Sequence, residues 1–301
     1  MRKFIIALIV LALAGLALFW WLSAPETLSA SDIPAADGDV RKGEYVFYMA
    51  GCASCHAAPG SDDKLSLAGG MEFVTQFGTF RAPNISPDPD AGIGGWSTLQ
   101  FANAVLRGVS PGGEHYYPAF PYASYQRMTI EDVVDLKAFM DTLPPVAVAA
   151  PGHDIPFPFN VRRGLGLWKL LYIDRKTFLP FYGLSTEENR GAYLVEGPGH
   201  CNECHTPRDV FGGLDYTRRL SGAANPDGKG RVPNITPDDG DGIGSWSRDE
   251  IAYALESGFT PEFDSFGGSM ARVVANTSKL TPEDRNAIAA YLKKVKPLPD
   301  N

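Results

Sequence analysis

The chain has 301 residues, a formal net charge of −8 and 44% hydrophobic residues. That length suits an apolar leader followed by two domains of ordinary size. The acidic balance argues against nucleic acid as a partner, since its phosphates need clustered Lys and Arg, and the 32 glycines and 24 prolines signal many turns.

Met1, Arg2 and Lys3 precede an uncharged run from Phe4 to Leu22 that ends on Trp20 and Trp21. Such a run is about long enough to cross a hydrocarbon core of ~30 Å, and tryptophans commonly mark its interfacial end. A cleaved signal peptide has a shorter apolar region and an A-x-A-like site. Residues 1–24 therefore read as an uncleaved membrane anchor, with a signal peptide as the alternative. The basic start predicts a cytoplasmic N-terminus, a single pass through the inner membrane and the remainder in the periplasm.

Beyond the leader, all four cysteines fall in two copies of one word, Cys52-Ala53-Ser54-Cys55-His56 and Cys201-Asn202-Glu203-Cys204-His205. C-x-x-C-H is the attachment signature of c-type haem. On a helical turn both thiols and the imidazole share one side, so the thiols reach a porphyrin edge while the ring turns to iron. Cys52 and Cys55 then carry one covalent haem c with His56 as proximal ligand, and Cys201 and Cys204 carry a second with His205. A redox dithiol, a zinc site pooled from both motifs and plain disulfides compete, but each leaves the repeated histidine or the excess of ligands unexplained.

The chain repeats on a larger scale. Pro83-Asn84-Ile85-Ser86-Pro87-Asp88 recurs as Pro233-Asn234-Ile235-Thr236-Pro237-Asp238, and Gly92-Ile93-Gly94-Gly95-Trp96-Ser97 as Gly242-Ile243-Gly244-Ser245-Trp246-Ser247. Each copy predicts a helix before the motif, at 41–49 and from Thr186 to Val195. A middle helix opens at Ser97 or Ser247, each with a capping-box partner three residues on, and stops at Gly108 or Gly258. A last helix runs from Thr129 to about Asp141, or from Thr281 to about Lys294. No strand pattern competes. The fold expected is mainly α, two tandem class I cytochrome c domains after an N-terminal transmembrane helix. The boundaries are 36–145 for the first domain, 146–184 for a Pro-rich linker and 185–301 for the second; the basic, aromatic part of the linker reads as a short helix wedged between the domains, with a stretch lying on a membrane surface as the alternative.

The strings PNISPDPDAGIGGWS, GVSPGGEHYYPAFPYASY and RGAYLVEGPGHCNECHTPR resemble the membrane-associated multihaem cytochrome c subunits of quinoprotein alcohol dehydrogenases and related periplasmic dehydrogenases. The resemblance covers roughly residues 38 to 298. It implies a relay that takes electrons from a dehydrogenase catalytic subunit and passes them to quinone, another cytochrome or a terminal oxidase. Those subunits usually carry three haems, whereas this chain has motifs for two. Their usual Tyr-Pro-Ala-Met-Pro-Tyr reads here Tyr117-Pro118-Ala119-Phe120-Pro121-Tyr122.

The sixth ligands follow from the methionines. Met270 lies alone after Cys201 in a Gly-rich loop and is the expected distal ligand of the second iron. For the first, Phe120 cannot coordinate, so Met128 is the candidate and His115 the runner-up. Pro83, Asn84, Pro233 and Asn234 are expected to orient the proximal imidazoles. Arg81, Trp96, Arg231 and Trp246 are expected to meet haem propionates. The acidic turns after Asp88 and Asp238 lack EF-hand spacing and read as solvated. No Ser-His-Asp set, P-loop or Rossmann fingerprint competes. The alternative is a dihaem redox enzyme of peroxidase or thiosulfate-oxidising type, with an open or unusually ligated first haem.

Overall fold

A computed structural model of the chain describes residues 1–225 and 230–300. Helix α1 spans Arg2–Leu22, and none of its residues is buried. Among the described residues it is the one helix long and apolar enough to cross a membrane.

Two repeats of helices follow. The first comprises α2 (Val40–Met49), α3 (Cys52–His56), α4 (Thr98–Ala102, continued by a π turn over Asn103–Arg107), α5 (Tyr122–Tyr125) and α6 (Ile130–Met140). A linker helix, α7 (Leu165–Tyr172), leads to the second: α8 (Thr186–Glu196), α9 (Asn202–His205), α10 (Arg248–Ser257), α11 (Gly268–Thr277) and α12 (Pro282–Leu292). The boundaries have local causes. Ser97 and Ser247 each accept from the amide three residues on, and the Gln100 and Glu250 side chains return the bond to the cap amide. Gly108 and Gly258 end these helices in the left-handed region, at φ of 60° and 79°, where a β-carbon costs energy.

Two hairpins depart from the all-helical expectation. Strands β1 (Glu72–Thr75) and β2 (Gly78–Arg81) pair antiparallel with Phe73 opposite Phe80, and β3 (Ala223–Ala224) pairs with β4 (Arg231–Val232). They are too short to show a period-two pattern.

In each repeat the first helix crosses the last at a glycine. A β-carbon on Gly43 of α2 would lie 1.9 Å from the Asp135 carbonyl oxygen of α6, and one on Gly191 of α8 would lie 1.8 Å from that of Ala287 in α12. Only hydrogen lets these backbones meet so closely. One continuous apolar core, with Phe47, Met128 and Val133 from the first repeat and Leu194, Val195 and Ala289 from the second, joins the two.

The repeats also exchange polar bonds. Tyr45 of α2 donates to Asp284 of α12 at 2.6 Å and accepts from the Thr281 amide, while Tyr193 of α8 donates to Asp132 of α6 and accepts from the Thr129 amide. Each tyrosine thus caps the last helix of the other repeat. The pattern is that of an approximate two-fold axis between the copies.

Candidate haem-attachment sites

Helix α3 holds Cys52, Cys55 and His56 on one turn, and Cys201 caps α9, which holds Cys204 and His205. None of the four cysteines is in a disulfide. Among the described residues no three His, Cys, Asp or Glu side chains gather as a metal-ligand cluster. Burial pushes the Cys52 and Cys201 thiols up to about 12. A redox dithiol needs the opposite shift.

The imidazoles are held alike. His56 Nδ1 lies 2.8 Å from the Pro83 carbonyl oxygen, and His205 Nδ1 lies 2.8 Å from that of Pro233. A carbonyl only accepts, so Nδ1 carries the proton and the lone pair stands on Nε2. This is how a backbone oxygen readies an imidazole as an iron ligand and raises its basicity. Burial lowers the pKa of both rings, while the bond to the proline carbonyl works against it. The backbone around them is pinned too: the Gly69 amide donates to the His56 carbonyl at 2.7 Å, and the Gly222 amide to that of His205 at 2.9 Å. Two thiols and a tautomer-fixed imidazole on one helical turn, twice over, form the donor set that haem c requires. The residues therefore fit the group.

Asn84 and Asn234 act differently from expectation. Their side chains turn away from the imidazoles: Asn84 Nδ2 donates to the Val146 and Val148 carbonyls, and Asn234 Nδ2 to that of Leu298. Each asparagine staples its proline loop to the chain that leaves the last helix. The arginines are engaged as well. Arg81 bonds Glu72 and the Gly152 carbonyl, both at 2.7 Å, and Arg231 lies 3.5 Å from Asp300. Propionate contact through either would require leaving these partners. Trp96 and Trp246 pack against the core from its edge.

On the distal side the repeats differ. The Tyr116 amide bonds the Gly108 carbonyl and the Phe266 amide bonds that of Gly258, which sets both loops in the same register. Counting on, Phe120 stands where the second repeat has Met270. Met270 sits in the first turn of α11 and is partly exposed, not in a loop. Met128 is fully buried beside the cap of α6, where the second repeat has Leu280 before the cap of α12. His115 is buried elsewhere: its Nε2 donates to the Ser23 carbonyl at 2.9 Å, at the end of α1. That bond engages Nε2 and ties the ring to the end of α1. The acidic turns close on themselves, with Asp88 Oδ1 accepting from the Asp90 and Ala91 amides, and Asp238 Oδ1 from those of Gly240 and Asp241.

The two motif helices meet the opposite repeat through their variable positions. Ser54 of α3 accepts from Asn276 of α11 at 2.8 Å, and Glu203 of α9 accepts from Ser124 of α5 at 2.8 Å. His200, just before Cys201, stacks edge-on against Tyr125 at 5.4 Å, and Tyr125 in turn donates to the Ala50 carbonyl. A β-carbon on Gly51 would lie 3.8 Å from His200 Nε2, so the two attachment motifs begin side by side. Sequence reasoning missed these contacts. The signal for the tyrosine and aspartate exchange was nonetheless in the repeat, since Gly43-Glu44-Tyr45 matches Gly191-Ala192-Tyr193 and Thr129 to Asp132 matches Thr281 to Asp284.

Comparison with known proteins agrees with this geometry. A family model described as cytochrome c matches residues 40–144. The chain is 50% identical over 297 residues to a protein named "diheme cytochrome c-type" from Cereibacter sphaeroides, covering 98% of this chain and 99% of that one. It is 40% identical to the cytochrome c subunit of an alcohol dehydrogenase (quinone) from Gluconacetobacter polyoxogenes, over 88% of this chain and 58% of the relative. It is 38% identical to the gluconate 2-dehydrogenase cytochrome c subunit of Pantoea cypripedii, over 87% and 61%. The chain thus spans about three fifths of the length of those two dehydrogenase subunits.

Proposed function

The chain belongs to the cytochrome c family, among electron-transfer proteins related to the cytochrome subunits of dehydrogenases, and we propose that it is a membrane-anchored dihaem relay facing the periplasm. One observation carries the reading: in both repeats a motif helix presents two thiols outside any disulfide and a histidine whose Nδ1 is held by a proline carbonyl. When bound, haem c supplies one-electron redox chemistry at iron, tuned by axial ligand, burial and hydrogen bonding.

The protein's own groups divide the remaining work. Cys52 and Cys55 hold one haem and Cys201 and Cys204 the other, each through two thioether links. His56 and His205 ligate through Nε2, oriented by Pro83 and Pro233. Met270 is the sixth ligand of the second iron, and Met128 is the sulfur offered to the first. The contacts of Gly51 and Tyr125 with His200 support passage of an electron within the chain, because they bring the two attachment points together. Helix α1 anchors the assembly in the inner membrane by a single pass. A dehydrogenase catalytic subunit is the donor, and quinone, another cytochrome or a terminal oxidase is the acceptor.

The test uses the full haem-loaded chain and the dehydrogenase that copurifies with it from native membranes. Substrate for that dehydrogenase should reduce both haems. A loaded chain that no dehydrogenase fraction reduces would contradict the relay. The match of Phe120 with Met270, and of Met128 with Leu280, favours a second reading in which the first iron lacks a sulfur ligand and the protein is a redox enzyme. Carbon monoxide binding to the reduced protein together with peroxide turnover would select it; a methionine-to-iron band lost in Met128→Leu would select the relay with Met128 in place.

A further inference from the structure

Helix α7 carries its apolar side outward. Gly166 and Lys169 face inward: a β-carbon on Gly166 would lie 2.4 Å from the Ser23 carbonyl oxygen, and Lys169 Nζ donates to the Arg107 and Gly108 carbonyls at 2.7 Å. One turn round, Leu167, Leu170 and Leu171 face away from the protein, and Leu171 is 74% exposed. Phe157, Phe159 and Val161 extend this surface upstream, with Phe157 80% exposed. Six large apolar side chains grouped outward exceed the scatter expected of a soluble surface and mark an interaction face.

What covers the face follows from where it is attached. The inner side of α7 is seated on the last turn of α1. Arg163 Nε donates to Ser23 Oγ at 2.9 Å, and its guanidinium lies 4.3 Å over the Trp20 ring and bonds the Trp20 carbonyl. His115 donates to the carbonyl of the same Ser23. The end of α1 is therefore clamped by two side chains and cannot swing as a loose tether. Trp20 and Trp21 mark the depth at which a spanning helix leaves the hydrocarbon. A helix bolted to that turn stands at headgroup level, with leucines outward and Arg162 and Arg163 at its start. That is the make-up of a segment lying in the membrane interface.

We infer that the outer face of α7, with the Phe157–Val161 segment, dips into the acyl and headgroup boundary of the bilayer. The first repeat is then held against the lipid at two places and presented at a fixed orientation. The inference rests on α1 as a membrane span, so its test must separate the two.

The full haem-loaded protein is reconstituted in nanodiscs of phosphatidylcholine and phosphatidylglycerol, with single nitroxide labels at Leu171→Cys, Phe157→Cys, Leu11→Cys in α1, or Phe263→Cys on the exposed second repeat. Unchanged visible spectra establish that each variant has folded. Collision with oxygen reports lipid, and collision with a water-soluble nickel chelate reports solvent. The expected result is an oxygen-to-nickel ratio at Leu171 and Phe157 several-fold above that at Phe263 and approaching that at Leu11. A solvent-like ratio at Leu171 and Phe157 with a lipid-like ratio at Leu11 overturns the inference and leaves the span intact. A solvent-like ratio at Leu11 removes the span, and the inference with it. Labels at Leu171 that lose nickel access only when the catalytic subunit is added assign the face to a protein partner instead, which also overturns it.

Discussion

The two repeats share a scaffold and differ where an iron would be tuned. Both cross their first and last helices at a glycine, both hold a histidine from a proline carbonyl, and both lend a tyrosine to the other's last helix. At matched positions the second repeat has Met270 where the first has Phe120, and Leu280 where the first has Met128. The first repeat meets the end of α1 through His115 and holds Lys169 of α7 at the Arg107 and Gly108 carbonyls, while α7 reaches the second repeat through Trp168 to the Phe211 carbonyl and Tyr172 to Asp209. Symmetry thus sets what attachment requires, and the departures from it fall on the distal side and at the end of α1.

The sharpest way to break this comparison is to exchange the distal residues. Met270→Leu should lower the potential of the second haem by a sizeable share of the roughly 0.8 V that axial ligands command, and should abolish its methionine-to-iron band. Met128→Leu should lower the potential of the first haem in the same way. Spectroelectrochemical titration reads both, and two unchanged potentials would refute the assignment of Met270.

The crossing glycines should respond equally, because the same clash awaits each. Gly43→Ala and Gly191→Ala should each cost about 3 kcal/mol or more, since the nearest obstacle is backbone and cannot turn aside. Denaturant unfolding of the haem-loaded chain measures this. A tolerated substitution in one repeat alone would show that its helices do not cross as described.

A smaller effect separates the exchanged carboxylates. Burial raises the Asp132 carboxyl above its usual range, against the bond from Tyr193. Burial also pushes Asp284 up, but the bonds from Arg190 and Tyr45 and the Arg190 charge outweigh it and hold the group low. The linkage signs are opposite. Asp284 contributes stability above the unfolded carboxylate pKa and loses it as pH falls through its lowered value. The preference of Asp132 for its proton favours the fold in acid and is lost as pH rises through its raised value. Asp284→Asn should therefore cost about 1 kcal/mol near neutral pH and progressively less in acid, a modest figure because the pair is partly solvated. Asp132→Asn should be neutral or stabilising near pH 7. Stability against pH for the two variants checks the contrast, and parallel curves would contradict it.

Much of the scaffold was legible along the chain because its signals are local. The capping boxes at Ser97 and Ser247, the glycine stops and the two C-x-x-C-H words state their structure within a few residues. The proline loops could be named, but not which atom would hold the imidazole; the backbone oxygen does so, and Asn84 and Asn234 bind the chain after the last helix. The hairpins escaped notice because two to four residues carry no period. Contacts such as Ser54 with Asn276, or Tyr45 with Asp284, join residues more than two hundred positions apart, and propensity says nothing about them. The partners of Arg81 and Arg231, namely Glu72, Gly152 and Asp300, are likewise set by folding.

The most direct test is the intact mass of the mature chain purified from its native host, with peptide mapping of the cysteines. Two haem additions, one across Cys52 and Cys55 and one across Cys201 and Cys204, are expected. A mature chain with either pair of thiols unmodified would contradict the account.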